Sequence, residues 1–304
     1  MRGLITLKTY SETKISIIGG DLRQLIIAKE LNGCGFKTTV YGFEGYEGDF
    51  EYTEISHDIS EAVEGADVIV LPLPFSSDGH NINCPFGGAC VSFERLLKEM
   101  NKDQLLLGGR FENKDVELAK SYGIRYIDYF EREELNVLNA VPTAEGALAI
   151  AMNELPVTIH SSKAAVLGYG RIGKVLSRIL SSLGAYVTVV ARKPSDIAWI
   201  NIRGFESRHF RELKEALYDV DVIFNTVPSV VVDREVLSSL KKDVLIIDLA
   251  SKPGGVDLKS AKDLNVKVIW ALSLPGKVAP VSAGKIIEKC LLNILSEEGV
   301  ISHV

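Results

Sequence analysis

The sequence predicts an α/β fold: two doubly wound parallel-sheet domains joined by two crossing helices. Three observations carry that reading. Short β-branched and apolar runs alternate with helix-length segments from one end of the chain to the other. A GxGxxG turn (Gly168, Gly170 and Gly173) lies between a strand-like run and a helix-like one. Two apolar helical stretches, near 140–153 and 280–296, fall where a chain would pass between domains. The length of 304 residues suits two domains of ordinary size.

In order along the chain, 14–20 (KISIIGG) is a buried-strand run ending in glycine. Residues 21–35 (DLRQLIIAKELNGCG) have helical spacing and a glycine stop. Further strands are expected at 37–43 (KTTVYGF), 66–74 (ADVIVLPLP), 104–111 (QLLLGGRF) and 124–130 (IRYIDYF). Together they describe a first domain over 1–140, of flavodoxin or Rossmann type, on the substrate side. Within it, 75–93 has no period, and a loop of that length is usually functional or mobile. Residues 141–153 read as a linking helix with Pro142 at its first position, Thr143 able to cap and Glu145 in the first turn. A second domain over 154–280, a Rossmann dinucleotide-binding domain, follows, with strands at 163–170 (KAAVLGYG), 185–193 (AYVTVVARK), 221–229 (DVIFNTVPS), 243–251 (DVLIIDLAS) and 266–273 (VKVIWALS). Residues 281–304 close the chain as a helix packing back on the first domain, with Ile286, Ile287, Leu291, Ile294 and Leu295 on one face. Two domains joined in this way place a cleft between them.

Composition excludes several classes. Apolar residues are 46% and charged residues 24%, as in soluble globular proteins, and the net charge of −6 speaks against a nucleic-acid partner. No run approaches the roughly 20 apolar residues of a membrane span. The first 14 residues lack the apolar segment of a leader, so a cytoplasmic protein is expected, with no membrane partner. Cys34, Cys84, Cys90 and Cys290 form no CxxC pair and read as reduced thiols. His80, Cys84 and Cys90 match no zinc spacing, and no metal is expected.

The glycine turn is the strongest motif. The first glycine permits the tight turn, the second lets backbone approach a pyrophosphate, and the third lets helix and strand pack closely. The loop Gly168, Tyr169, Gly170, Arg171, Ile172 and Gly173 is therefore the expected cradle, backed by a helix N-terminus. An NAD site usually has an acid at the end of the next strand. Arg192 and Lys193 stand there instead, and two cations suit a 2′-phosphate, so NADP is expected with NAD possible. The strand ends Asn225–Thr226–Val227–Pro228 and Leu249–Ala250–Ser251, with the turn at Pro275 and Gly276, line the same crevice. Residues 16–25 (SIIGGDLRQL) repeat the motif only superficially, without a third glycine, although Gly19 and Gly20 make an anion-friendly turn. Arg23, a cation in a first helical turn, is unfavourable unless an anion sits nearby, which makes it and Gln24 candidate substrate ligands.

Taken together, 19–25 (GGDLRQL), 139–151 (NAVPTAEGALAIA), 166–173 (VLGYGRIG), 225–229 (NTVPS), 248–257 (DLASKPGGVD) and 274–284 (LPGKVAPVSAG) resemble the dipicolinate synthase A-subunit family of spore-forming bacteria. The motifs run nearly the whole chain in order. Lys277 stands where an apolar residue is expected, leaving its role open between anion binding and simple exposure. The resemblance implies NAD(P)-dependent oxidation of a dihydropyridine dicarboxylate, or its hydrated precursor, to pyridine-2,6-dicarboxylate. It also implies work in the mother cell during sporulation, beside a flavoprotein-like B-subunit, with a homo-oligomer open.

That chemistry needs a hydride acceptor and a base, and cations or helix N-termini for two carboxylates. Arg23, Gln24, Arg110 and Lys277 are candidate carboxylate ligands. Glu145 is the candidate base with Asn139 and Thr143 as hydrogen-bond partners, and His80 is the alternative base. A 2-hydroxyacid dehydrogenase would share the plan, but no histidine lies between His209 and His303 where its base belongs. A methylenetetrahydrofolate dehydrogenase has similar PGG turns, but its tyrosine–lysine pattern is not visible in the first domain. An NADP-binding accessory protein that does not turn over is the reading from another class.

Overall fold

The computed structural model describes residues 9–48, 53–88 and 91–301. Cys90, His303 and most of the N-terminal stretch read above lie outside the described residues. The chain divides into two compact units, Met1–Asn136 with Ala279–Val304, and Val137–Val278.

Unit 1 begins with β1 (Lys14–Ile18), α1 (Leu22–Gly33), β2 (Lys37–Tyr41) and β3 (Glu54–Ser56). It continues through α2 (Ile59–Val63), β4 (Val68–Val70), α3 (Phe93–Glu99), β5 (Leu105–Gly108), α4 (Asn113–Ser121) and β6 (Arg125–Asp128). The six strands are parallel in the order β3-β2-β1-β4-β5-β6. That is the Rossmann order rather than the flavodoxin one. Ile15 and Ile17 of β1 face one core with Ile27 and Leu31 of α1, while Ile18 faces the other with Ile59, Leu96 and Leu97. Both faces are covered, which is why the inner strands β4 and β5 read as continuous apolar runs.

Helix α5 (Glu133–Glu154) then leads into unit 2, and the division falls inside it. Unit 2 contains β7 (Lys163–Leu167), α6 (Arg171–Ser182), β8 (Tyr186–Ala191), α7 (Pro194–Ile202), β9 (Glu206–His209) and α8 (Leu213–Leu217). It closes with β10 (Val222–Asn225), α9 (Arg234–Ser239), β11 (Leu245–Asp248), α10 (Leu258–Asp263), β12 (Lys267–Trp270) and α11 (Leu274–Val278). The second sheet runs β12-β11-β10-β7-β8-β9, the same order again, all parallel. The last helix, α12 (Pro280–Glu297), returns to unit 1, where Ile287, Leu291, Ile294 and Leu295 join the core of α1 and β1.

The linking helix corrects the sequence reading. It starts at Glu133, so Pro142 sits inside it and not at its first position. Proline removes one helix donor there, yet Ala140, Ala144, Ala147 and Ala151 form a continuous buried stripe at helical spacing. Burial of that face carries the helix through the proline. Thr143 does not cap a terminus: its Oγ1 donates to the Asn139 carbonyl one turn back, at 2.7 Å. Among the described residues α5 alone is long and apolar enough to cross a membrane by length and composition, but its alanine stripe is buried inside folded protein.

Burial also sets thiol chemistry. It pushes the Cys290 thiol up to about 12, assisted by Glu134, and raises that of Cys34 more mildly with help from Glu288 and Glu30. Thiols are nucleophilic only as thiolates, whose population falls as the pKa rises above the working pH. Iodoacetamide at pH 8 is therefore expected to leave Cys290 unmodified and to label exposed Cys34 slowly, as read by mass mapping. Fast labelling of Cys290 in folded protein would contradict the packing of α12.

Candidate functional site

The glycine loop after β7 has the geometry its spacing implies. Gly168 has φ +94°, in the left-handed region, and its N–H donates to the Val190 carbonyl at 2.9 Å. A Cβ built on Gly173 would stand 2.1 Å from the Gly168 carbonyl oxygen, so α6 and β7 approach as closely as backbone allows. At Gly170 the same construction meets nothing within 4 Å. Gly170 N-caps α6 and supplies no side-chain cap, so the first turn of α6 starts beside open space. That is the cradle a pyrophosphate needs. Tyr169 takes part through its backbone, because its ring is buried, with Lys174 Nζ 5.7 Å from the ring centre. Burial raises its hydroxyl pKa, and that hydroxyl has no hydrogen-bond partner.

At the end of β8, Arg192 and Lys193 are exposed and make no ion pair among the described residues. Lys193 N-caps α7, with Pro194 behind it, so the two cations adjoin a second helix N-terminus. The strand end itself carries no acid, and the next acidic residue along the chain is Asp196, in the first turn of α7.

The ends of β10 and β11 are tied together below the crevice. Asn225 and Asp248 are register partners and both are buried. Asn225 Nδ2 donates to Asp248 Oδ1 at 2.8 Å and to the Val227 carbonyl at 3.1 Å, while its Oδ1 accepts from Val227 N. Asp248 also accepts from Ala250 N and Gly255 N, at 3.1 and 2.8 Å. The Asn225 side chain is thus committed to shaping the loop, which leaves Thr226, Val227 and exposed Pro228 to line it. Thr226 Oγ1 is likewise engaged, donating to the Leu167 carbonyl. Leu249 and Ala250 are buried and Ser251 is exposed. Pro275 and Gly276 lie in the short helix α11 instead of the tight turn expected. Asp248 escaped sequence reasoning, since its role depends on strand register.

The 139–151 stretch borders this crevice. Ala144 and Ala147 share an apolar cluster with Tyr169, Leu249 and Leu274. A Cβ on Gly146 would stand 3.2 Å from Leu274 Cβ and 3.1 Å from Val278 Cγ2, so α5 and α11 meet there. Glu145 and Lys277 are exposed on those two helices. Asn139 Oδ1 is buried without a partner. With α5 beginning at Glu133, Asn139–Glu145 has no free helix N–H groups, so no helix terminus binds an anion at this stretch.

In unit 1 the anion that Arg23 requires is its neighbour. Asp21 N-caps α1 and accepts from Arg23 N, Nε and Nη2, and Arg23 Nη2 also donates to the Leu73 carbonyl at 2.6 Å. Gln24 is fully buried, with neither amide atom partnered. Gly19 and Gly20 do not form an open anion turn, because their N–H groups donate to Tyr41 O and Asn83 O. The aperiodic loop fills that place with its own backbone. Arg110 is exposed at φ +69°, with its N–H on Asp128 Oδ1. His80 is exposed on a turn held by Asp78, whose carboxylate is pulled far below its usual range by the backbone N–H and side chain of Asn81 and then by His80 N. No three His, Cys, Asp or Glu side chains gather as metal ligands among the described residues.

Residues 14–130 match the N-terminal domain of the dipicolinate synthase A-subunit, and 143–255 match the NAD-binding domain of D-isomer-specific 2-hydroxyacid dehydrogenases. The dipicolinate synthase A-subunit of Bacillus subtilis (strain 168) is 34% identical over 286 residues, which cover 93% of this chain and 96% of that one. The crystal structure of the dipicolinate synthase A-subunit from Bacillus halodurans has a TM-score of 0.88 at 31% identity, over 95% of this chain and 99% of that one. A transhydrogenase from Sinorhizobium meliloti shares the fold alone, at TM-score 0.70 and 16% identity over 94% of each chain. With an NAD-binding dehydrogenase domain built on the open glycine loop, and that identity across nearly its whole length, the chain belongs to the dipicolinate synthase A-subunit family.

Proposed function

We propose that this chain oxidises dihydrodipicolinate, or its 4-hydroxy-tetrahydro precursor after loss of water, to pyridine-2,6-dicarboxylate, with NADP preferred over NAD. The carrying observation is the open cradle at Gly170 next to Arg192 and Lys193, in a chain 34% identical to a dipicolinate synthase A-subunit. Aromatisation removes one hydride and one proton from the ring. When bound, the nicotinamide supplies the hydride acceptor. Glu145 takes the proton, and Asn139 and Thr143 hold its surroundings. Of the residues read as carboxylate ligands, Arg110 and Lys277 are exposed and stay candidates, whereas Arg23 is held by Asp21 and Gln24 is buried; His80 is the alternative base. By the same family likeness the setting is the mother-cell cytoplasm, with the B-subunit of the synthase as partner.

The test is direct. Purified chain with NADP⁺ and the dihydropyridine is expected to give reduced nicotinamide and pyridine dicarboxylate in equal amounts. Cofactor binding without turnover, relieved only by adding the B-subunit, would instead assign it an accessory role.

Cofactor choice has its own check. Arg192→Asp removes a cation that can grip a 2′-phosphate and places an acid where a ribose hydroxyl would donate. NADP⁺ affinity is expected to fall by about 2–3 kcal/mol while NAD⁺ affinity holds or improves. Equal loss for both in calorimetry would sink the assignment.

A further inference from the structure

Asp248 does more than tie two loops. It is 1% exposed, and both carboxylate oxygens accept N–H donors, from Asn225, Ala250 and Gly255. An acceptor-only set of this kind is what a carboxylate, and not its acid, satisfies. No lysine or arginine pairs with it among the described residues. A buried negative charge is normally matched by a cation, and here the match is missing.

The place of that charge is informative. In a doubly wound sheet the adenosine half of a dinucleotide lies over the strands on one side of the switch point and the nicotinamide half over those on the other. Arg192 and Lys193 end β8, on the adenosine side, whereas Asp248 ends β11, on the other. The nicotinamide ring is cationic when oxidised and neutral when reduced. We propose that Asp248 is a positioning residue that shapes the crevice through Ala250 and Gly255 while its uncompensated charge selects the oxidised cofactor over the reduced one. This rests on the cofactor assignment above. It gives an oxidising enzyme a means of releasing spent cofactor and reloading.

The test is binding, without substrate. Titration of the full chain with NADP⁺ and with NADPH is expected to show NADP⁺ bound roughly tenfold tighter, the effect of one nearby unit charge in a protein interior. Contacts to phosphates and adenosine are the same for both forms and cancel. Asp248→Asn, with both forms still bound, should bring the ratio close to one, a change that a merely structural role would not produce. Equal affinities in the wild type, or an unchanged ratio in the variant, overturn the proposal. If Asp248→Asn does not fold, the wild-type ratio alone decides. Failure of the wild type to bind either form overturns the cofactor assignment and this proposal with it, whereas equal binding of both overturns this proposal alone.

Discussion

Gly173→Ala is expected to lower dinucleotide affinity by about 10²-fold or more and to depress the melting temperature. An added Cβ would stand 2.1 Å from the Gly168 oxygen and 3.1 Å from its carbon, and both neighbours are backbone. No rotamer can relieve such a clash, so either the first turn of α6 lifts from β7 or the Gly168 turn opens. Both movements displace the N–H groups that would hold the phosphates. Hydrogen bonds to charged groups are worth about 1.5–3 kcal/mol each, so losing two gives the expected factor. Gly170→Ala is the contrasting case. Its φ of −81° is open to alanine and the methyl meets nothing, so folding should survive while the methyl enters the space a pyrophosphate needs. Calorimetry beside thermal melts separates the two. Wild-type affinity in Gly173→Ala would mean that the helix–strand approach does not set the loop.

The contrast shows why this part of the site was legible in the sequence. All three glycine roles are local, and strand, turn and helix adjoin in the chain. Strands buried on both faces were equally readable, because β4, β5, β7, β10 and β11 carry apolar runs of three or four residues and β1 is broken only by the small Ser16. Of the four outer strands, β6 and β12 were readable and β3 and β9 were not. The latter two each have a sheet neighbour on one side only, and their sequences, Glu54–Ser56 and Glu206–His209, are short and polar, as exposed edges tend to be.

Other parts needed tertiary information. The pairing of Asn225 with Asp248 spans 23 positions and exists only because β10 and β11 run in register. Asp21 lies two residues from Arg23, but its bidentate grip on the guanidinium goes with burial of Arg23, whose Nη2 also reaches the Leu73 carbonyl fifty positions away. The start of α5 misled for a definite reason. A proline followed by threonine and glutamate is a local start signal, and the buried alanine stripe running through it is a non-local one. Packing decided.

That correction makes the test of Glu145 cleaner. As a capping residue it would have tied activity and stability together, since replacing it would weaken a helix end. As the thirteenth residue of α5 and exposed, it makes no dipole contribution at a terminus, and glutamate and glutamine have nearly equal helix propensity. Glu145→Gln should therefore leave stability within about 0.5 kcal/mol of wild type. Its neighbours give the position meaning: Ala144 packs in the cluster of Tyr169 and Leu249, and Gly146 meets α11. Under the proposed role its exposed carboxylate takes the proton, and loss of a general base costs about 10²–10⁴-fold. Turnover is expected to fall by at least about 10²-fold, with NADP⁺ affinity unchanged. Thr143→Ala is the structural control. It removes the bond to the Asn139 carbonyl in the turn already weakened by Pro142, so stability should drop by about 1 kcal/mol with a smaller effect on turnover. If Glu145→Gln turns over at the wild-type rate, Glu145 is an exposed helix charge and the base lies elsewhere, with His80→Gln the next substitution to assay.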